Sequence, residues 1–154
     1  MRQIFLLAII VLINSLTSFA QKDTLVHKRL EAKRTYKPVI VDGLLNDEAW
    51  KDSSVANNFI ELKPKAGALE DTASKTITYL MYSDDGIYFG GYCYEQNRES
   101  ISTELIDRDG FGNNDFIGII FDTYKDHLNA FQYLLTPLNE QMDAKRVPNR
   151  IKNY

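Results

Sequence analysis

The sequence has little cysteine, histidine and tryptophan, and these shortages remove several classes of function. Cys93 is the single cysteine, so no disulfide can form within the chain. The chain has only two histidines, His27 and His127, and no Cys/His cluster has the spacing of a zinc site. A Gly-x-Ser-x-Gly elbow and a glycine-rich phosphate loop are also missing. The residues therefore give no support to nucleophilic catalysis, zinc chemistry or phosphate-loop nucleotide binding.

No charge of one sign dominates the chain. Lys and Arg number 18 and Asp and Glu number 21, for a formal net charge of −3. A basic patch or stripe of the kind that contacts nucleic acid is missing, so no nucleic-acid partner is expected. The acidic residues offer many carboxylate pairs of the kind that glycosidases use, but nothing in the sequence selects one pair. Cys93 lies in an apolar, strand-like run, which predicts a small buried hydrophobe.

Only the N-terminus carries a long apolar run. Arg2 precedes apolar residues 4–13, and Ser18-Phe19-Ala20 then supplies small residues where signal peptidase cleaves. The run is short for a membrane span, which needs about 20 residues. We therefore predict a signal peptide over residues 1–20 and an exported protein, whether periplasmic, outer-membrane-associated or extracellular. No cysteine follows the small residues, which argues against a lipoprotein anchor.

The remainder divides into a polar linker or loosely docked arm, residues 21–37, and one domain, residues 38–154. Alternating runs at residues 75–82 and 87–94 are joined by Ser83-Asp84-Asp85-Gly86, which predicts a β-hairpin. One helical turn is expected near residues 46–50, capped by Asn46 or Asp47. Other strands are expected at 38–41, 59–62, 116–122, 130–136 and 141–147. This spacing predicts an all-β, antiparallel β-sandwich.

Aromatic side chains are the candidate ligand-binding residues. Tyr88, Tyr92 and Tyr94 would share one face of the second hairpin strand, with Gly90 between them. Tyrosine rings can stack on the C–H faces of sugars, although packing against a second sheet would explain the same pattern. Trp50 follows apolar residues in the helical turn and is expected to anchor the core.

An acidic loop over residues 107–115 is the candidate metal site. Asp107, Asp109 and Asp115 provide hard oxygen ligands, and the glycines between them allow tight turns, as calcium sites require. The spacing does not follow the EF-hand pattern. A solvated turn, in which Asp and Asn bond their own main chain, is the alternative.

Three segments resemble the family 9 carbohydrate-binding module. VDGLLNDEAW (41–50) is similar to its opening signature, YLMYSDDGIYFGGYCYE (79–95) to its second segment, and residues 113–144 to its third. The resemblance covers about residues 38–147. It implies a jelly-roll-like β-sandwich, bound calcium and a polysaccharide or oligosaccharide ligand. Such modules occur in enzymes that hydrolyse O-glycosyl bonds during carbohydrate breakdown.

The resemblance has two departures with consequences for function. Sugar-binding members clamp their ligand between two tryptophans, whereas this chain has one, at the family's structural position, so no sugar site carries over. The module also normally continues for several more strands, which predicts a domain truncated at its C-terminus. We expect a secreted, non-catalytic carbohydrate-binding-like module. The alternatives are an N-terminal interaction domain of an outer-membrane β-barrel protein without a sugar ligand, and an accessory fragment of a glycoside hydrolase.

Overall fold

The computed structural model describes residues 28–110, 112–148 and 150–153. The predicted signal peptide, residues 1–20, lies outside the described residues. Eight β-strands and three single-turn 3₁₀ helices (Trp50–Asp52, Thr72–Ser74 and Arg98–Ser100) make up the regular structure there. The strands are β1 (Lys33–Arg34), β2 (Ser54–Ala56), β3 (Thr76–Tyr82), β4 (Ile87–Cys93), β5 (Ile117–Phe121), β6 (Ala130–Leu135), β7 (Gln141–Val147) and β8 (Arg150–Asn153).

The strands form two sheets of four strands each. In the first sheet, one edge of β3 pairs with β2 and, further along, with β1, while β4 pairs with the other edge. The second sheet is an antiparallel meander in the order β5-β6-β7-β8. The chain is thus all-β over the described residues, with two largely antiparallel sheets that are compatible with a β-sandwich.

The predicted hairpin is confirmed, and its two strands pair over their whole length. The register runs from Thr76 opposite Cys93 to Tyr82 opposite Ile87. The turn closes through the Ser83 N–H, which donates to the Gly86 carbonyl at 2.9 Å. The strands predicted at 116–122, 130–136 and 141–147 are also confirmed, to within one residue at each end.

The strands predicted at residues 38–41 and 59–62 are wrong. The Ile40 N–H donates to the Asp47 carboxylate at 3.0 Å, so a side chain takes the bond that a neighbouring strand would have made. The second segment reduces to an isolated bridge between Ile60 and Leu69. The helical turn begins later than predicted, at Trp50, and no side chain caps it.

Three short strands, β1, β2 and β8, were not predicted, because none of them has a clear local pattern. β1 lies within the arm of residues 21–37, where Lys33 pairs with Met81 and Arg34 with Tyr82. The Thr35 N–H continues the pairing by donating to the Tyr82 carbonyl at 2.8 Å. The described end of the arm is therefore hydrogen-bonded to the first sheet. β2 has three residues, too few to show alternation.

The segment VDGLLNDEAW (41–50) packs on one face of the first sheet. Trp50 is 8% exposed and forms a buried cluster with Ala49 and Met81. Half-buried Val39, Leu45, Tyr79 and Tyr88 pack against this cluster. Trp50 is therefore a core anchor, as predicted.

The two sheets meet where β4 approaches β5. A Cβ atom added to Gly91 would lie 2.8 Å from Cδ1 of Ile117, so glycine leaves room for the isoleucine of the second sheet. This contact places the end of β4 beside the start of β5. Among the described residues, no helix has the length and hydrophobicity needed to cross a bilayer.

Candidate ligand-binding surface

Strand β4 places its tyrosines on one face of the first sheet. Tyr88 lies opposite Met81 and Tyr92 opposite Ile77, with Gly90 opposite Tyr79 between them. Because successive side chains of a strand alternate between faces, Tyr88 and Tyr92 point to the same side as Trp50 packs. Tyr94 continues this face beyond the strand, and its N–H donates to the Lys75 carbonyl at 2.9 Å.

Tyr88 belongs to the core rather than to an exposed surface. It is half-buried and packs against the Trp50 cluster. Its hydroxyl lies 3.4 Å from the Ser83 hydroxyl. Trp50 also lies over Gly90, the residue between Tyr88 and Tyr92. The three predicted tyrosines are thus divided, with Tyr88 on one side of Trp50 and the other two on the opposite side.

Tyr92 and Tyr94 form an exposed pair, which we call the tyrosine surface. Each is 47% exposed, and their ring centroids are 6.3 Å apart with an interplanar angle of 44°. Tyr79 meets Tyr92 edge-on at 6.3 Å and Trp50 at 6.5 Å. Edge-to-face contacts of this kind favour fixed ring positions. A continuous aromatic row therefore runs from the core to the solvent and holds the tyrosine surface in place.

Lys75 adds a charged donor to the tyrosine surface. Its Nζ atom lies 5.1 Å from the centroid of the Tyr94 ring, within the range of a cation–π contact. Lys75 was not predicted, although extending the hairpin register by one pair beyond Thr76 and Cys93 would have placed it opposite Tyr94. The result is two half-exposed rings beside one ammonium group.

The three predicted metal ligands occupy different hydrogen-bonded positions in the loop. The Asp107 carbonyl accepts from the Gly110 N–H at 3.0 Å, closing a turn. The Asp109 carboxylate accepts from the Asp143 N–H at 3.4 Å, which ties the loop to β7. The Asp115 carboxylate accepts from the Ser102 N–H at 2.9 Å. Two of the three carboxylates therefore also serve as acceptors for main-chain groups.

Asn114 is the residue around which this loop is built. It is buried, and its side-chain amide donates to the Glu104 carbonyl at 2.9 Å and accepts from the Glu104 N–H. One side chain thus satisfies both main-chain polar groups of Glu104, much as a paired strand would. This bonding agrees with the alternative of a loop shaped by Asp and Asn bonds to the main chain.

The donor set of the loop is a partial fit to calcium. No group of three Asp, Glu, His or Cys side chains comes together among the described residues. A calcium ion here would need amide or main-chain oxygens beside the carboxylates, which calcium sites accept. Calcium binding by Asp107, Asp109 and Asp115 stays a prediction.

Cys93 is exposed, so the expectation of a buried thiol is wrong. It lies in the last pair of the hairpin, opposite Thr76, where the strands end. Desolvation of the thiol still raises the pKa of Cys93 above its usual value, so it is a poor nucleophile at neutral pH.

Comparison with known proteins gives no match to a family model, a curated protein or a solved structure. The resemblance to the family 9 carbohydrate-binding module therefore stays a prediction from the three sequence segments.

Proposed function

We propose that this chain is an exported, non-catalytic carbohydrate-binding module, and that the tyrosine surface contacts the sugar. The neighbouring half-exposed rings of Tyr92 and Tyr94, 6.3 Å apart, carry this proposal. Small-ligand sites commonly combine aromatic faces with a few polar groups that fix orientation. Here the rings offer faces to sugar C–H groups, and Lys75 offers a donor to hydroxyls.

The fixed position of the rings supports binding rather than incidental exposure. The Trp50–Tyr79–Tyr92 contacts restrict the Tyr92 ring before a ligand arrives, so little rotamer freedom is lost on binding. Both rings are half-exposed, which leaves the surface open to a chain of sugars.

Calorimetric titration with neutral soluble oligosaccharides, such as cello- and xylo-oligosaccharides, tests this function. Tyr92→Ala and Tyr94→Ala should each reduce the affinity at least tenfold. Tyr133→Ala is a matched control, because Tyr133 is 49% exposed on the second sheet and also has one edge-on aromatic neighbour, Phe121. No binding heat in calcium or in chelator, or an equal loss in the control, would contradict the proposal.

An interaction domain of an outer-membrane protein is the second candidate. The face of the second sheet that carries Tyr133 also carries Leu135, and both are exposed large side chains. Contiguous apolar side chains on a sheet face are typical of contact surfaces. This candidate gains support if neutral oligosaccharides fail to bind while the folded chain self-associates in sedimentation measurements.

A further inference from the structure

A concave region lies on the second sheet, outside the tyrosine surface. This depression has a volume of about 480 Å³, within the range of about 300–1,000 Å³ typical of small-ligand sites. Ile120, Ala130 and Arg146 line it from β5, β6 and β7. The register places Ala130 opposite Arg146, and Ile120 opposite Gln132, two residues along from Ala130. The three side chains therefore share one face of the sheet.

The connection between β5 and β6 forms the wall of the depression. Asp122 accepts from the N–H groups of Asp126, at 3.2 Å, and His127, at 2.9 Å. The Asp126 carboxylate in turn accepts from the N–H groups of Leu128 and Asn129, both at 2.8 Å. Two carboxylates thus fold this loop back on itself, so the wall is formed before any ligand arrives.

The depression offers a ligand one guanidinium, that of Arg146, and its wall carries one carboxylate, that of Asp122. Both carboxylate oxygens of Asp122 already accept main-chain hydrogen bonds. Arg146 is exposed, and its guanidinium forms no ion pair or hydrogen bond with the described part of the chain. A guanidinium is suited to a planar carboxylate, which it binds through two parallel hydrogen bonds.

The depression also presents apolar surface beside this charge. Ile120 is 52% exposed and Leu128 is 60% exposed, and both line it with Arg146. A ligand that satisfies this arrangement has one carboxylate for the guanidinium and an apolar face for the two aliphatic side chains. Hexuronic acid units of acidic polysaccharides have both, on one rigid ring.

We infer that this depression binds a hexuronate unit of an acidic saccharide, with its carboxylate on Arg146 and its C–H face on Ile120 and Leu128. This inference rests on the proposed carbohydrate-binding function and names a ligand class and a second site for it. The tyrosine surface then serves neutral sugar units, and the depression serves acidic ones.

The test is a calorimetric titration with oligogalacturonate and with the same oligosaccharide after its carboxyl groups have been reduced to alcohols. Oligogalacturonate should bind the wild-type protein, and reduction of its carboxyl groups should weaken binding to the depression at least tenfold. Arg146→Gln should cause a similar loss for the acidic ligand and leave the reduced ligand unaffected. Higher salt should weaken the acidic interaction, because it is electrostatic.

Lys145→Gln is the matched control. Lys145 is the neighbouring residue of β7 and points to the opposite face, where its Nζ lies 5.8 Å from the Phe131 ring. The substitution removes the same charge from the same strand and should leave oligogalacturonate binding within twofold of wild type. An equal loss in Arg146→Gln and Lys145→Gln would indicate attraction by net charge alone and would overturn the inference.

The two proposals fail in different ways. If neutral oligosaccharides bind in a manner that depends on Tyr92 while oligogalacturonate binds no better than its reduced form, the hexuronate site is wrong and the proposed function stands. If neither type of oligosaccharide binds, both are wrong. Binding of oligogalacturonate that Tyr92→Ala leaves intact and Arg146→Gln removes would establish the second site.

Discussion

Trp50 lies over Gly90, and this contact joins residues 41–50 to the hairpin. A Cβ atom added at Gly90 would lie 3.3 Å from the Trp50 ring and 2.6 Å from Cδ2 of Leu45. Glycine thus lets the indole approach the sheet, and Trp50 in turn separates Tyr88 from Tyr92. The same contact builds the core and divides the predicted tyrosine site.

Gly90→Ala should destabilise the protein. The added methyl group must displace Leu45 and crowd Trp50, and overpacking of this kind costs about 1–3 kcal/mol. Denaturant unfolding, followed by Trp50 fluorescence, would measure the change. Gly86→Ala is the control in the same hairpin, because no atom lies within 4 Å of an added Cβ there. Equal stability of the two variants would show that Trp50 does not pack against Gly90.

Asn114→Ala should destabilise the acidic loop whether or not calcium is present. The substitution removes the two part-buried hydrogen bonds that Asn114 makes with the N–H and the carbonyl of Glu104, each worth about 0.5–1.5 kcal/mol. Asn113→Ala, at the exposed neighbour, should lower the free energy of unfolding by about 0.5 kcal/mol or less, as is usual for a surface position. Thermal melting of both variants in calcium and in chelator would check this. A loss for Asn114→Ala in calcium alone would contradict a structural role.

The sequence predicted the elements whose pattern is local. The hairpin of residues 75–94 combines two alternating runs with a four-residue turn, and its register follows from those residues alone. Trp50 as a core anchor likewise followed from its apolar neighbours in the chain. Such features need no information about distant partners.

The errors arose where a partner outside the segment decides the structure. Residues 38–41 looked like a strand, but the Asp47 side chain takes the Ile40 N–H. β1 has two residues and exists because β3 offers it a free edge. The division of Tyr88 from Tyr92 depends on Trp50, which is distant in sequence. Arg146 and Leu128 come together only when β7 pairs with β6 and the intervening loop folds back.

Calcium binding by the acidic loop gives a charge-dependent prediction. The triple variant Asp107→Asn, Asp109→Asn and Asp115→Asn should melt at a lower temperature than wild type in calcium and at a similar temperature in chelator. Asparagine keeps a carbonyl oxygen that can accept the Ser102 N–H, so the change mainly removes charge.

Asp85→Asn, in the hairpin turn of the first sheet, controls for the loss of one carboxylate charge and should melt like wild type in both conditions. If the triple variant loses the same stability in chelator as in calcium, the carboxylates act through hydrogen bonds and the loop is not a calcium site.

Asp126 links the stability of the β5–β6 loop, which forms the wall of the depression, to pH. Hydrogen bonds from the main-chain N–H of Asn129, from its side-chain amide and from the Leu128 N–H lower the pKa of Asp126 below its usual value. A carboxyl group with a lowered pKa in the folded state stabilises the protein above its unfolded-state pKa, which is about 3.9. That contribution is lost as the pH falls through the lower, folded-state pKa.

Asp126→Ala should therefore lower the melting temperature at pH 7 and lower it less at pH 3. Thermal melting monitored by circular dichroism at both pH values would measure the difference. Asp85→Ala is the control, since its carboxylate accepts no hydrogen bond from the described residues and should change the melting temperature little at either pH. If Asp126→Ala costs the same at pH 3 as at pH 7, the ionised carboxylate does not hold the loop, and the preformed wall of the depression must have another cause.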